Sequence, residues 1–166
     1  MYTGTVDERL DSDAVAQVAA VVDEVHLVGP VTDTAPLSEL SRLPNLRMHG
    51  PVGQSRLREL VVACDVGLLP HRITGLTTAM SPLKLYEYVA AGLPVVATDL
   101  PPVRGLGSRV ILVPPDGGWG QPTRAALSLG PASETDLLST TAGISWSERL
   151  APLVTAVSRQ LDASAD

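Results

Sequence analysis

The sequence predicts a doubly wound α/β fold, in which a Rossmann-like parallel sheet of about six strands is covered by helices on both faces. Apolar runs such as residues 95–97 do not alternate with polar residues, which is typical of strands buried on both faces. Segments such as residues 11–22 carry apolar residues three and four positions apart, as an amphipathic helix does. Strands and helices alternate along the chain, which implies βαβ units with right-handed crossovers.

The predicted elements follow one another without an internal repeat. The first strand covers residues 1–6 and ends near Gly4, and the first helix begins at Asp11 or Ser12, either of which can cap it. The other predicted strands are residues 25–29, 45–50, 65–70, 94–98 and 109–113. The other predicted helices are residues 37–43, 56–63, 82–91, 123–129, 133–141 and 148–161.

Between these elements the composition predicts caps and loops. Ser55 is the expected cap of the helix over residues 56–63, and Ser145 is expected to open the last helix. Residues 73–79 and 117–122 have the composition of loops, and the end of the chain is expected to be a frayed polar tail. Doubly wound sheets bind ligands beyond the carboxyl ends of their strands, so residues that follow the strands are the candidates for a site.

The segment over residues 81–98 is the most strongly patterned part of the chain. Ser81 can cap a helix, and Pro82 suits its first position because the missing N–H costs nothing there. Gly92 is placed to end the helix in the left-handed conformation, and Pro94 forbids its continuation. The sequence therefore predicts a helix that leads directly into a buried strand.

Two charged residues share one face of this helix, near its start. Lys84 and Glu87 are three positions apart, and Lys84 is the only lysine in the chain. A helix N-terminus offers free amides and a partial positive charge, so Lys84 would strengthen an anion-attracting end. The alternative is an exposed Lys–Glu pair on a solvated helix face.

This segment resembles the donor-binding, C-terminal half of GT-B glycosyltransferases. The pattern Pro-x-Lys-x-x-Glu at Pro82, Lys84 and Glu87, with the run over residues 90–98, is similar to that of the retaining glycosyltransferase family 4, or glycosyl transferases group 1. In that family the second glutamate of a Glu-x7-Glu signature binds the ribose of a nucleotide sugar, and Glu87 matches it. The first glutamate of the signature is replaced by Ala79.

The resemblance implies a binding site for a nucleoside diphosphate sugar, UDP- or GDP-linked. The residues that it assigns to donor binding are Gly4, Arg9, His49, Gly50, Arg72, Thr78, Lys84, Leu85 and Glu87. It leaves the catalytic residues unassigned, and it implies no metal and no cofactor besides the donor substrate. Alternatives remain for several positions: Gly4 can be a simple turn glycine, Arg9 can pair with Asp7 or Asp11, and His49 can be structural.

Composition excludes several other functions. The net charge of -6 argues against nonspecific nucleic-acid binding. Cys64 is the only cysteine, so no internal disulfide and no cysteine-based metal cluster can form, and we interpret it as a small core residue. The GxGxxG dinucleotide fingerprint, the P-loop, HExxH and the Gly-x-Ser-x-Gly elbow are all absent. Without a signal peptide or a membrane span, a cytoplasmic protein is expected.

The expected organisation is one nucleotide-sugar-binding domain over residues 1–166. The N-terminal, acceptor-binding lobe of such enzymes is not in this sequence, which is then a truncated domain or one chain of a split enzyme, inactive alone. The main alternative is a non-enzymatic, degenerate Rossmann-like module that docks on a partner protein. A two-lobed nucleotide-sugar epimerase is a further enzyme alternative.

Overall fold

The structure, a computed structural model, describes residues 1–141 and 146–162. Six parallel strands alternate with helices over these residues, as predicted. The strands are β1 (Tyr2–Thr3), β2 (Val25–Val28), β3 (Leu46–Gly50), β4 (Gly67–Leu69), β5 (Val95–Thr98) and β6 (Val110–Val113). The helices are α1 (Ser12–Ala19), α2 (Ala35–Leu40), α3 (Gln54–Val62), α4 (Gly75–Ala79), α5 (Leu83–Ala90), α6 (Gly120–Leu129), α7 (Glu134–Thr141) and α8 (Trp146–Asp162), with a short 3-10 helix at Pro101–Val103.

The strands form two parallel three-stranded sheets, ordered β1-β2-β3 and β4-β5-β6. The two sheets lie side by side at β1 and β4, where the Leu68 N–H donates to the Met1 carbonyl over 2.8 Å. Read across both sheets, the order is β3-β2-β1-β4-β5-β6. The order reverses direction between β1 and β4, which is the point where doubly wound folds bind ligands.

The inner strands β1, β2, β4 and β5 are buried on both faces, which explains their apolar runs, whereas the edge strand β3 carries the exposed residues Arg47 and Met48. Val96 packs into a core cluster with α1 and α6, while Val95 and Ala97 pack into a second cluster with α3 and α5. Successive side chains of a strand point to opposite faces, so a strand covered on both faces needs apolar residues at every position. Cys64, which was predicted to be a core residue, is only half-buried against the second cluster, and burial raises the pKa of its thiol.

The central helix α5 ends as predicted but begins differently. Gly92 has a φ of 76°, its N–H donates to the Val89 carbonyl, and the Leu93 N–H donates to the Tyr88 carbonyl. This is a Schellman end, which favours glycine because the backbone is left-handed. The predicted Ser81 cap is wrong: Pro82 is the N-cap, and the Ser81 hydroxyl lies 3.2 Å from the Tyr86 hydroxyl.

Three other local predictions are corrected. The predicted loop over residues 73–79 contains α4, because the Thr74 and Thr77 side chains form a capping box at its start. The cap of α3 is Gly53 rather than Ser55, and α6 already begins at Gly120, inside the second predicted loop. Ser145 and residues 163–166, the predicted start of the last helix and the polar tail, lie outside the described residues.

None of the helices in the described ranges combines the length and the apolarity that a bilayer crossing requires.

Gly29 lies where two loops touch, and its replacement gives a stability prediction. Gly29 has a φ of 143°, and a Cβ at this position would lie 2.1 Å from the Gly4 carbonyl oxygen. We expect Gly29→Ala to lower the free energy of unfolding by about 2–4 kcal/mol, because the clash is with backbone and the φ is strained for alanine. Urea denaturation measures this loss.

Gly75→Ala is the matched control, since a Cβ at Gly75 meets nothing within 4 Å. Its stability should equal or slightly exceed that of the wild type. A Gly29→Ala protein as stable as this control would contradict the packing of the two loops.

Candidate functional site

The candidate site is a crevice at the carboxyl ends of β1 and β4, beside the N-terminus of α5. The loop that follows β1 runs along the loop that follows β4. The Asp11 N–H donates to the Pro70 carbonyl over 2.9 Å, and the Arg72 N–H donates to the Arg9 carbonyl over 2.8 Å. These bonds fix the two loops together, so the residues that follow the two strands share one site.

Gly4 and Lys84 meet in the middle of this crevice. Gly4 has a φ of 127°, and its N–H donates to the Val28 carbonyl over 2.8 Å. A Cβ on Gly4 would lie 2.6 Å from the Lys84 Nζ and 3.1 Å from its Cε. A side chain at Gly4 would therefore displace the Lys84 ammonium group.

The Lys84 ammonium lies over the ring of Tyr2, with Nζ 3.8 Å from the ring centroid. Burial, together with the nearby Arg9, lowers the pKa of Lys84 to about 7, although Asp7 and Glu87 oppose the shift. Burial also raises the pKa of Tyr2, so its hydroxyl stays protonated and donates to the Thr5 carbonyl over 2.9 Å. An anion placed here would stabilise the charged form of Lys84.

Arg9 is held by Asp7 in the same loop. The Arg9 Nε donates to both carboxylate oxygens, over 2.9 and 3.0 Å, and Nη2 donates to Oδ2 as well. Asp7 is buried, and this hydrogen-bonded pair keeps the pKa of its carboxyl low. Of the two partners considered from the sequence, Asp7 is the one observed, whereas Asp11 caps α1.

His71 lies at the bottom of the site, near the charged groups of Lys84 and Arg9. Its side chain is 2% exposed, its Nε2 lies 3.5 Å from the Tyr2 hydroxyl, and its Nδ1 has no hydrogen-bond partner among the described residues. Burial, with Lys84 and Arg9 nearby, lowers the pKa of His71 to about 3. The imidazole is therefore neutral and adds no charge to the crevice.

Glu87 lies on the rim of the crevice, one turn after Lys84. Its side chain is exposed, and the two residues share a face of α5 as predicted. Leu85, by contrast, is fully buried in the core, and its N–H donates to the Pro82 carbonyl over 3.1 Å. A nucleotide sugar could therefore contact Leu85 only through its backbone.

Two further predicted residues lie on or before α4. Arg72 is exposed, with its Nε 3.4 Å from the Leu10 carbonyl. The Thr78 hydroxyl donates to the Thr74 and Gly75 carbonyls of its own helix, over 2.9 and 3.0 Å. The Thr78 hydroxyl would have to release these bonds to donate to a ligand, although its oxygen can still accept a hydrogen bond.

His49 and Gly50 close β3, on the far side of β2 from Lys84. The His49 ring stacks on His26 with 5.1 Å between centroids, and its Nε2 lies 3.0 Å from the His26 Nδ1. Burial lowers the pKa of His49, and His26 and Arg56 contribute to the shift. The structure therefore places His49 against another histidine, and brings Gly4, Arg9 and Lys84 together without it.

Three residues of this site were not singled out by sequence reasoning. Tyr2 lies under Lys84, Asp7 holds Arg9, and Tyr88 binds the end of β1. The sequence carries no local signal for Tyr2 and Tyr88, because the contacts that place them in the site join positions more than sixty residues apart. Asp7 was recognised only as one possible partner of Arg9.

A cavity of about 450 Å³ lies at the opposite, amino-terminal edge of the sheet. Asp23, Glu24 and Asp65 are among its lining residues. Carboxylates repel a diphosphate, so this cavity suits a phosphate ligand less well than the crevice does. Among the described residues no group of three or more His, Cys, Asp and Glu side chains is placed to hold a metal ion.

Two solved structures resemble the chain over nearly its whole length. AviGT4, a glycosyltransferase involved in avilamycin A biosynthesis, has a TM-score of 0.74 and 19% identity, over 98% of this chain and 51% of that one. A sucrose-phosphate synthase from Thermosynechococcus elongatus has a TM-score of 0.52 and 16% identity, over 98% of this chain and 46% of that one. The fold is thus the predicted α/β half of a GT-B glycosyltransferase.

Sequence comparison identifies the family. Residues 9–125 match the family described as glycosyl transferases group 1, and the chain belongs to that family. A Bacillus subtilis (strain 168) protein, TuaH, described as a teichuronic acid biosynthesis glycosyltransferase, is 33% identical over 104 residues, which are 60% of this chain and 26% of TuaH. The chain spans about a quarter of that relative and about half of each solved structure.

Proposed function

We propose that this chain is the donor-binding domain of a glycosyltransferase that transfers a sugar from a nucleoside diphosphate sugar to an acceptor. The observation that carries the proposal is the convergence of Gly4, Lys84 and Glu87 at the switch point of the sheet. Gly4 lets a diphosphate approach the backbone, Lys84 supplies a half-buried cation, and Glu87 supplies a carboxylate one helical turn away.

The proposed roles follow from the chemistry of each group. Lys84, with Arg9 and Arg72, binds the diphosphate, and the Glu87 carboxylate accepts hydrogen bonds from the ribose hydroxyls. When the bond between the sugar and the diphosphate breaks, negative charge develops on the leaving phosphate oxygens. Fixed cations in a site that excludes water stabilise that charge most effectively.

The acceptor would be bound by a second lobe, in the same chain or in a partner chain. The last helix supports this part of the proposal. Leu150, Leu153, Val154 and Val157 follow helical spacing on α8 and are 43–60% exposed. We therefore propose that α8 packs against the second lobe, and that this domain alone transfers no sugar.

A ligand-observed NMR titration with UDP, GDP, ADP and dTDP tests donor binding and identifies the base. We expect saturable binding of one nucleotide, and about a tenfold or greater loss of affinity in Glu87→Ala, because hydrogen bonds to a charged group are lost. Asp23→Ala, which removes an exposed carboxylate at the opposite edge of the sheet, is the matched control and should bind like the wild type.

No binding of any of the four nucleotides at millimolar concentration by the folded protein would overturn the proposal. That outcome would favour the alternative, a non-enzymatic module that docks on a partner protein.

A further inference from the structure

The hydroxyl of Tyr88 lies between β1 and β4, where the two sheets meet. The Thr3 N–H donates to the Tyr88 Oη over 2.7 Å, and the Oη donates to the Thr3 Oγ1 over 3.0 Å. Tyr88 is fully buried, so both bonds are shielded from water. A helix side chain therefore satisfies a backbone donor that would ordinarily pair with a neighbouring strand.

This contact ends the pairing of β1 with β4. The Met1 amino group donates to the Val66 carbonyl, and the Leu68 N–H donates to the Met1 carbonyl, as in a parallel ladder. In a continued ladder the Thr3 N–H would donate to the Leu68 carbonyl, but it donates to Tyr88 instead. Pro70, which would supply the following donor, has no N–H. The sheet therefore opens immediately beside Gly4.

Gly67 allows the tyrosine ring to reach this position. A Cβ at Gly67 would lie 2.5 Å from Cδ2 and 2.6 Å from Cγ of the Tyr88 ring. Glycine is required here for close approach, since the ring lies directly on the backbone of β4. The ring and the strand thus fix the height of α5 above the sheet.

We propose that Tyr88 is a positioning residue for the diphosphate of the donor. It follows Glu87 directly and lies one turn after Lys84, while its hydroxyl binds Thr3, the neighbour of Gly4. The Tyr88 hydroxyl thus fixes the position of the Gly4 turn relative to Lys84 and Glu87. It also keeps β1 and β4 apart beside Gly4, where the crevice lies. The inference rests on the proposed donor-binding function.

Tyr88→Phe tests the proposal, because it removes the hydroxyl and keeps the ring. We expect the affinity for UDP, or for GDP where the wild type prefers it, to fall about tenfold or more, with the affinity for the matching nucleoside unchanged. A merely structural role would weaken both ligands alike. Tyr86→Phe makes the same change on the same helix, away from Thr3, and should bind like the wild type.

A second readout does not depend on any ligand. The Thr3 amide of the wild type should exchange slowly with solvent, and the Thr3 and Gly4 amides should exchange faster in Tyr88→Phe. Fast exchange of Thr3 in the wild type would overturn the proposal, even if Tyr88→Phe failed to fold.

The binding experiments separate the positioning role of Tyr88 from the proposed donor-binding function. Unchanged UDP affinity in Tyr88→Phe, or a parallel loss of nucleoside and nucleotide affinity, would overturn the positioning role. A wild type that binds neither UDP nor GDP would overturn the proposed function. In that case the positioning role falls with the proposed function, and the amide exchange of Thr3 and Gly4 tests only whether the Tyr88 hydroxyl holds the Gly4 turn.

Discussion

Lys84→Met is expected to weaken the binding of a nucleoside diphosphate sugar on the order of 100-fold, because it removes charge-assisted bonds made in a buried site. The methionine keeps much of the apolar stem that packs over Tyr2. Isothermal titration calorimetry with UDP-glucose and GDP-mannose, whichever the wild type binds, measures the loss. Arg124→Met removes an exposed cation of α6 and is the control for the change in net charge.

The same variant should be more stable than the wild type in neutral and acidic solution. Burial lowers the pKa of Lys84 from 10.5 to about 7, so the charged form destabilises the folded state. The gain should be full below about pH 7 and should disappear as the pH rises toward about 10.5, since the unfolded lysine then also loses its proton. Unchanged affinity together with unchanged stability would contradict the role of Lys84 in this site.

The affinity for a nucleoside diphosphate sugar is expected to fall as the pH rises above about 7. In the free protein Lys84 loses its proton near that pH, whereas a bound diphosphate favours the charged form. Binding therefore takes up a proton, and the affinity should fall by up to about tenfold per pH unit until the pKa of the complex is reached. Calorimetry in two buffers of different ionisation enthalpy measures this proton uptake.

A nucleotide sugar is the better probe for this experiment, because both of its phosphates are esterified and keep a constant charge through the range. Lys84→Arg is the control: a guanidinium stays charged, so its binding should not vary with pH in this range. A wild-type affinity that is constant between about pH 6 and pH 9 would contradict a Lys84 whose pKa lies near 7.

The fold was predictable because its signals are local. Pro82, Gly92 and Pro94 act within a few residues of their own positions, and they bracket α5 and β5 in the structure as in the sequence. The errors are at helix ends, where the path of the incoming chain decides the cap. Pro82, rather than Ser81, has the extended backbone of an N-cap, with φ −78° and ψ 105°.

The site was predictable only in part, because its support is non-local. Lys84 and Glu87 stand out by residue type, charge and spacing on one helix. The contacts that hold them in place join residues far apart along the chain, such as Thr3 with Tyr88 and Tyr2 with Lys84. No spacing rule links these positions. They are brought together by the parallel topology, which places the end of β1 beside β4 and α5.

We propose that a nucleotide sugar binds in the crevice between β1, β4 and α5. Mapping of amide chemical shifts by heteronuclear NMR during titration with UDP-glucose or GDP-mannose tests it most directly. The predicted result is that the largest shifts fall on Gly4, Lys84 and Glu87. Largest shifts around Asp23 and Asp65, at the opposite edge of the sheet, or no shifts at millimolar ligand, would contradict the claim.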